Sequence, residues 1–245
     1  TRSPKGQYIT PGRSTRRSLS GHSGSSDDPS FLYLMNGHSS ETARAAWERE
    51  YLAKGRLYGG APRELPSLLP GSRVLEAGCG DGKTLAAMVP LGWKIIALDF
   101  SRSALDLSRN NPHLGALDYI LADAAALPFR DRIFDAVFLN HIAGHVPEPV
   151  RAMIAAESFR VLQRGGRLFF RGFSVDDFRA GTGIAIGHST RVKGDGILTH
   201  YFTRDEVIHL FSSLSPISVS EERWSLKIQD KIMPRVEIAG EFIRE

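Results

Sequence analysis

Apolar residues recur along this 245-residue chain in two rhythms. Ala43, Ala46, Trp47 and Tyr51 fall at helical spacing, which predicts a helix over 40–54, broken by Gly59, Gly60 and Pro62. Beyond that, short apolar runs at 73–77, 93–98, 119–122, 133–139 and 167–173 read as strands. Stretches 83–91, 101–110 and 149–162 read as helices, with Ser101 as an N-cap. The run 133–139 is apolar on both sides of Asp135, as a strand covered on both faces should be. Such alternation predicts a parallel sheet with helices on both faces. After the fifth strand the rhythm changes. A helix is expected over 203–214, opened by a capping box of Thr203 and Glu206, and then two strands near 217–222 and 236–243 with no helical pattern between them. The fold expected is α/β, a doubly wound, mostly parallel seven-stranded sheet with an antiparallel terminal strand, in one domain over 31–245.

Composition adds limits. Hydrophobic residues make up 42% and charged residues 24%, ordinary globular values. The single cysteine, Cys79, excludes an internal disulfide and fits a reducing, cytoplasmic setting. No apolar run approaches the roughly 20 residues that cross a bilayer, so no membrane partner is expected, and 1–30 lacks a signal-peptide core. The formal charge of +4 is uneven. Residues 1–30 hold five basic and two acidic side chains (+5 − 2 = +3), which leaves +1 for 31–245. That segment, rich in Ser, Gly, Arg and Pro, is expected to be a disordered basic tail, either a solvated leader or an arm that holds nucleic-acid phosphate.

Candidate chemistry centres on Glu76-Ala77-Gly78-Cys79-Gly80-Asp81-Gly82-Lys83-Thr84, between the first strand and the next helix. A dinucleotide loop needs G-x-G-x-x-G, and both frames fail, at Lys83 and at Leu85. A relaxed phosphate loop fits Ala77 to Thr84, but Asp81 would repel phosphate from inside the cradle. The third reading is S-adenosylmethionine. The loop resembles the first motif of class I methyltransferases, and the acidic strand ends suit a cofactor with sulfonium and ammonium charges. The resemblance implies a Rossmann-like methyltransferase fold with the cofactor on Glu76, Gly78, Cys79, Gly80, Asp99, Phe100, Asp123, Ala124 and Asn140. Asp99 would accept both ribose hydroxyls, Asp123 would neighbour the adenine amino group, and Asn140 would lie near the methionine portion. Such convergence at strand carboxyl ends follows the switch-point rule. No metal-ligand spacing stands out.

Further segments resemble the tRNA 3-methylcytidine methyltransferase family. They are Val74 to Gly80; Asp99-Phe100-Ser101 with Ala104; Phe169-Phe170-Arg171-Gly172-Phe173 followed by Asp176, Asp177 and Arg179; Arg191 to Gly196 with Tyr201-Phe202-Thr203; and Pro234-Arg235-Val236. Arg171-Gly172 stands where that family has an Arg-Asp pair. The resemblance implies an enzyme acting on a tRNA base. Arg191 and Lys193 would meet phosphate, Tyr201 or Phe202 would stack on an extruded base, and Asp176 or Asp177 would stabilise the cationic product. For an amine or thiol acceptor, His141 or His145 would remove a proton. The bland alternatives are helix-start capping for the two aspartates and loop packing for the histidines. A protein side chain or small molecule remains the alternative acceptor, and a cofactor-binding partner subunit without turnover the alternative to an enzyme.

Overall fold

A computed structural model describes residues 40–55, 64–228 and 230–245. The basic tail, and the helix breakers at Gly59, Gly60 and Pro62, lie outside the described residues. Helix α1 (Ser40–Lys54) precedes β1 (Arg73–Ala77), α2 (Leu85–Met88), β2 (Lys94–Asp99), α3 (Arg102–Arg109), β3 (Asp118–Leu121) and β4 (Phe134–Asn140). Then come α4 (Glu148–Val161), β5 (Leu162–Phe173), the short strands β6 (Ile184–Gly187), β7 (Thr190–Val192) and β8 (Leu198–His200), α5 (Arg204–Leu210), β9 (Ser215–Ile228) and β10 (Lys231–Ile243). The main sheet has the order β3-β2-β1-β4-β5-β10-β9, and β10 runs antiparallel to both neighbours. This is the doubly wound, mostly parallel seven-stranded sheet that the sequence pattern predicts.

Burial explains why the central strands are apolar on both sides. Val74, Ala97 and Ala136 pack in one cluster with Leu85, Met88 and Leu105 of α2 and α3. Leu75, Leu98, Val137 and Leu139 pack in another with Ile154 and Val161 of α4 and with Phe211 and Phe242. Ser101 caps α3 by accepting from the Ala104 N–H at 3.1 Å, and Thr203 and Glu206 form the expected capping box on α5.

The helix expected over 83–91 is cut to α2 plus a 3-10 turn at Val89–Leu91. Pro90 has no N–H to continue the ladder, and left-handed Gly92 (φ 69°) ends the turn. Helix α5 closes at Leu210, and the chain turns through 211–214. β9 and β10 extend well beyond the expected limits as one long antiparallel ribbon. The small antiparallel sheet β6-β7-β8 has no counterpart among the expected elements; Val192 and Leu198 form its own apolar cluster.

Candidate active site

A cleft of about 1300 Å³ runs along the carboxyl ends of β1, β2 and β4 and continues over β5, β10 and β9. At its first end β2 delivers Asp99, which is buried (4% exposed). Asp99 accepts from Gly80 N at 2.9 Å and from Ser101 N at 2.9 Å. Burial pushes its pKa up to about 6, against those backbone bonds. β1 delivers Glu76, equally buried. Burial lifts its pKa to about 8, opposed by hydrogen bonds with the Thr84 and Asn140 side chains, and its Oε2 has no partner. Asp123 caps its own loop through Ala125 N at 2.9 Å and is met by the Ser40 hydroxyl of α1. Helix α1 lies across this end. Trp47 and Tyr51 line the cleft, and Glu48 accepts from the hydroxyls of Ser101 and Ser103, both at 2.6 Å.

The glycines answer first to backbone shape. Gly78 and Gly80 have φ of +75° and +55°, and a Cβ on Gly78 would lie 1.9 Å from Ile142 Cγ2. Gly78 N and Cys79 N donate to Leu98 O at 2.7 and 3.0 Å, Gly80 N to Asp99, and Gly82 N to Cys79 O at 3.1 Å. Gly80 N and Gly82 N, two of the donors a phosphate cradle would use, are thus engaged within the chain. Those bonds count against the phosphate-loop reading, as does Asp81. Cys79 lines the cleft, with burial holding its thiol well above the usual range, so it stays a neutral packing residue.

The far end is built differently. His141 follows β4 in a left-handed conformation (φ 64°), fixed by its N–H donating to Arg171 O at 2.8 Å. Its ring stacks on Phe173 at 4.4 Å. Burial, reinforced by His145, Arg171, Arg179 and Arg235, pushes its pKa down to about 3. His145 places Nδ1 2.7 Å from Leu198 O, and burial takes its pKa to about 4. Arg171 forks onto Glu222 at 2.7 and 3.1 Å. Asp177 has a fully buried side chain and accepts from Arg179 Nε at 2.8 Å and Arg235 Nε at 2.7 Å. Burial opposes its ionisation, but the two guanidiniums override that and hold its pKa below the usual carboxylate range.

Residues 75–170 match the family profile described as a methyltransferase domain. The match takes in β1 to the greater part of β5, the strands that build the cofactor end of the cleft. Demethylmenaquinone methyltransferase of Renibacterium salmoninarum is 39% identical over 111 residues, covering 45% of this chain and 45% of that protein. The tRNA N(3)-cytidine methyltransferase METTL2 of Danio rerio is 30% identical over 164 residues, covering 61% of this chain and 46% of that protein. The chain thus spans just under half the length of these curated relatives. Among solved structures, a SAM-dependent methyltransferase from Methanosarcina mazei superposes with a TM-score of 0.59 at 20% identity, over 73% of this chain and 95% of that one, a likeness of fold.

Within the methyltransferase domain, the cleft gathers every cofactor residue expected from sequence: Glu76, Gly78, Cys79, Gly80, Asp99, Phe100, Asp123, Ala124 and Asn140. The donor set fits S-adenosylmethionine. A buried carboxylate oxygen without a partner, at Glu76, and a second buried carboxylate with a raised pKa, at Asp99, call for a cationic, hydroxyl-bearing ligand and reject an anionic one. Of the residues expected to be catalytic, His141 lines the cleft. Asp176 and Asp177 do not. Asp176 is half-exposed and pairs with Arg223 at 2.5 Å, and Asp177 sits behind the arginines it holds, which corrects their expected role beside the reacting atoms. A second correction concerns stacking. Tyr201 is wholly buried with its hydroxyl donating to Arg179 O at 3.0 Å, and Phe202 packs against Phe170 and His200, so neither offers a free ring face. Arg191 donates to Ala180 O at 3.1 Å. Glu222, Trp224 and Glu237 line the cleft without having been expected there. Glu222 and Trp224 alternate along β9 and Glu237 lies opposite Glu222 on β10, a mixed polar and aromatic row that in sequence names no ligand face.

Proposed function

We propose that this domain binds S-adenosylmethionine at the Glu76–Asp99–Asp123 end of the cleft and transfers its methyl group to a small organic acceptor held at the other end. The observation that carries the cofactor half is the pair of buried carboxylates, Glu76 and Asp99, beside a glycine loop whose Gly78, Cys79, Gly80 and Gly82 N–H groups are engaged within the chain. S-adenosylmethionine supplies a methyl group already activated on sulfonium, so the protein's part is to hold, orient and exclude water. Asp99, ordered by Gly80 and Ser101, is the hydrogen-bond acceptor for the ribose diol. Glu76, ordered by Thr84 and Asn140, faces the cofactor's ammonium. Trp47 and Tyr51 of α1 screen this end from solvent.

At the acceptor end His145 donates from Nδ1 to the Leu198 carbonyl, which leaves Nε2 as an unprotonated acceptor for an incoming N–H or O–H. His141 stays neutral at physiological pH. It takes up a proton only near pH 3, so it shapes the site and offers a ring nitrogen instead of removing protons. The burial of Tyr201 and Phe202 favours a small acceptor over an extruded base, since stacking on a free ring is what a base needs. The second reading, a tRNA base, is favoured by one observation: the likeness to METTL2 of Danio rerio spans 61% of the chain, against 45% for the demethylmenaquinone enzyme of Renibacterium salmoninarum.

Calorimetry with S-adenosylmethionine, magnesium-ATP and NAD tests the cofactor. Binding of S-adenosylmethionine alone is expected, and binding of ATP without it would overturn the assignment. Turnover is read with a radiolabelled methyl group against a metabolite extract and against bulk tRNA. Label in the metabolite fraction is expected. Label in tRNA nucleosides would move the acceptor to the second reading. Tight cofactor binding with label in neither fraction, nor in protein, would make the chain a partner subunit.

A further inference from the structure

Three arginines line the acceptor end of the cleft, and they are not equivalent. Arg171 presents its fork to Glu222, with Glu237 3.7 Å behind, so its planar donors have a full carboxylate partner. Arg179 and Arg235 share a single carboxylate. Each meets Asp177 through Nε, at 2.8 and 2.7 Å, and Asp177 also accepts from the backbone N–H groups of Arg179 and Val236 at 3.1 and 3.2 Å. Asp177 is therefore saturated, while the Nη groups of both arginines stay outside the pairing. Nη2 of Arg179 has no hydrogen-bond partner at all.

The two guanidiniums are also locked in place. Arg179 lies 3.9 Å from the centre of the Phe173 ring, and Arg235 lies 5.2 Å from it and 5.3 Å from that of Trp224. Stacking fixes the plane of a guanidinium and so aims its donors. Asp177 alone answers these two cations, with Lys193 near them, while Glu222 and Glu237 of the same cleft face Arg171. Burial together with Arg179 lowers the pKa of that lysine, and the same arginines help to keep His141 neutral. Partly buried, pre-aligned guanidiniums whose Nη donors are not committed to Asp177 are complementary to an oxyanion. Arg179 and Arg235 have side chains only 24% and 13% exposed, so the anion has to enter the cleft with the acceptor.

We propose that the acceptor carries a carboxylate or phosphate group and that the Nη groups of Arg179 and Arg235 bind it, with Asp177 as the positioning residue behind both. This rests on the small-molecule reading above. The residues lie outside 75–170, so the selectivity belongs to this chain's own second half.

The test uses the full chain saturated with S-adenosylhomocysteine, whose own affinity is measured first. Failure of that step strikes the cofactor assignment and not the anion site. Inorganic phosphate and benzoate are then titrated separately by calorimetry. Saturable, millimolar binding of at least one is expected, phosphate alone pointing to a phosphate ester and benzoate alone to a carboxylic acid. Arg179→Gln and Arg235→Gln should each weaken it by about tenfold, as expected for one charge-assisted hydrogen-bonding partner, and leave S-adenosylhomocysteine affinity within about twofold. Arg179→Lys and Arg235→Lys keep the charge beside Asp177, guard against misfolding, and should weaken binding less. No saturable binding of either anion by the unaltered chain would overturn the proposal. So would anion binding that all four variants retain in full.

Discussion

At the cofactor end of the cleft, Asp99 takes its hydrogen bonds from N–H groups two and nineteen residues away. At the acceptor end, Asp177 meets Arg235 across 58 residues, and Arg171 meets Glu222 across 51. The core of the first end, Asp99 and the glycine loop, comes from the single unit from β1 to β2, with α1 laid across it from farther off. The second is assembled by strand pairing, when β10 lies down antiparallel on β5 and brings Glu237 opposite Phe173. The cofactor end also holds carboxylates that burial pushes toward neutrality, whereas the acceptor end holds a carboxylate kept ionised by two arginines. One cleft thus has an end suited to a cation and an end suited to an anion, built from unrelated parts of the chain, and the two ends should respond separately to mutation.

The largest effect is expected at Asp177. Asp177→Ala strands two partly buried guanidiniums and should cost about 3–5 kcal/mol in urea denaturation, the usual result of removing one partner from a buried ion pair. S-adenosylhomocysteine affinity should hold wherever the variant remains folded. A parallel loss of cofactor affinity would show the two ends to be coupled and break the comparison. Next comes Asp99→Ala, which should weaken S-adenosylmethionine by about 1.5–3 kcal/mol in calorimetry, the loss of a charged hydrogen-bond acceptor, and lower stability in urea by about 1–3 kcal/mol, because the Gly80 and Ser101 N–H groups lose their acceptor.

Glu76 sharpens the contrast through pH. Its pKa in the folded state, about 8, lies above its ordinary value of 4.5, so the fold prefers the protonated form. Stability of the cofactor-free chain should therefore be highest below pH 4.5 as far as this group is concerned, and fall as pH rises toward 8, by at most about 1.4 kcal/mol per pH unit. Glu76→Gln should flatten the slope of melting temperature between pH 5 and 8, and an unchanged slope would assign the dependence elsewhere. Asp177 has the opposite sign. Its contribution is present above its ordinary pKa and is lost as acid titrates it. The smallest effect belongs to Asp176→Ala. This residue neighbours Asp177 in sequence but is half-exposed and paired with an exposed Arg223, so the melting temperature should stay within about 1 °C. A large drop there would mean that the surface pair does more than its geometry suggests.

The same division decides what could be read from the sequence. Strands β1 to β5, and the gathering of the nine expected cofactor residues in one cleft, were legible because apolar runs and a glycine loop are local signals, and the carboxyl ends of parallel strands converge by rule. Arg235 and Glu222 were legible only as members of a late strand pair, since nothing within a few residues of either names its partner. The strands β6 to β8 escaped because they are three or four residues long and lie among Gly183, Gly187, Gly194 and Gly196, with no alternation to reveal them. The ribbon β9–β10 was underestimated for a related reason. Residues 223–227 and 231–235 are mostly polar or exposed, and what makes them strands is pairing with each other and not burial in a core. Asp176 and Asp177 look alike in sequence; only the fold shows that one sits at the surface and the other beneath two arginines.

The reversed direction of β10 has a consequence in time. A parallel strand would bring its last residues to the rim of the cleft, but β10 brings an early one, Arg235, and does so only after the ribbon that precedes it has been made. On a translating ribosome that adds about 5–20 residues per second, the 58 residues between Asp177 and Arg235 correspond to roughly 3–12 s. Throughout that interval the outer edge of β5 has no neighbour and Asp177 lacks its second arginine. An unpaired strand edge next to an incomplete charge cluster invites misassociation. That interval is therefore when this part of the chain has most need of a chaperone.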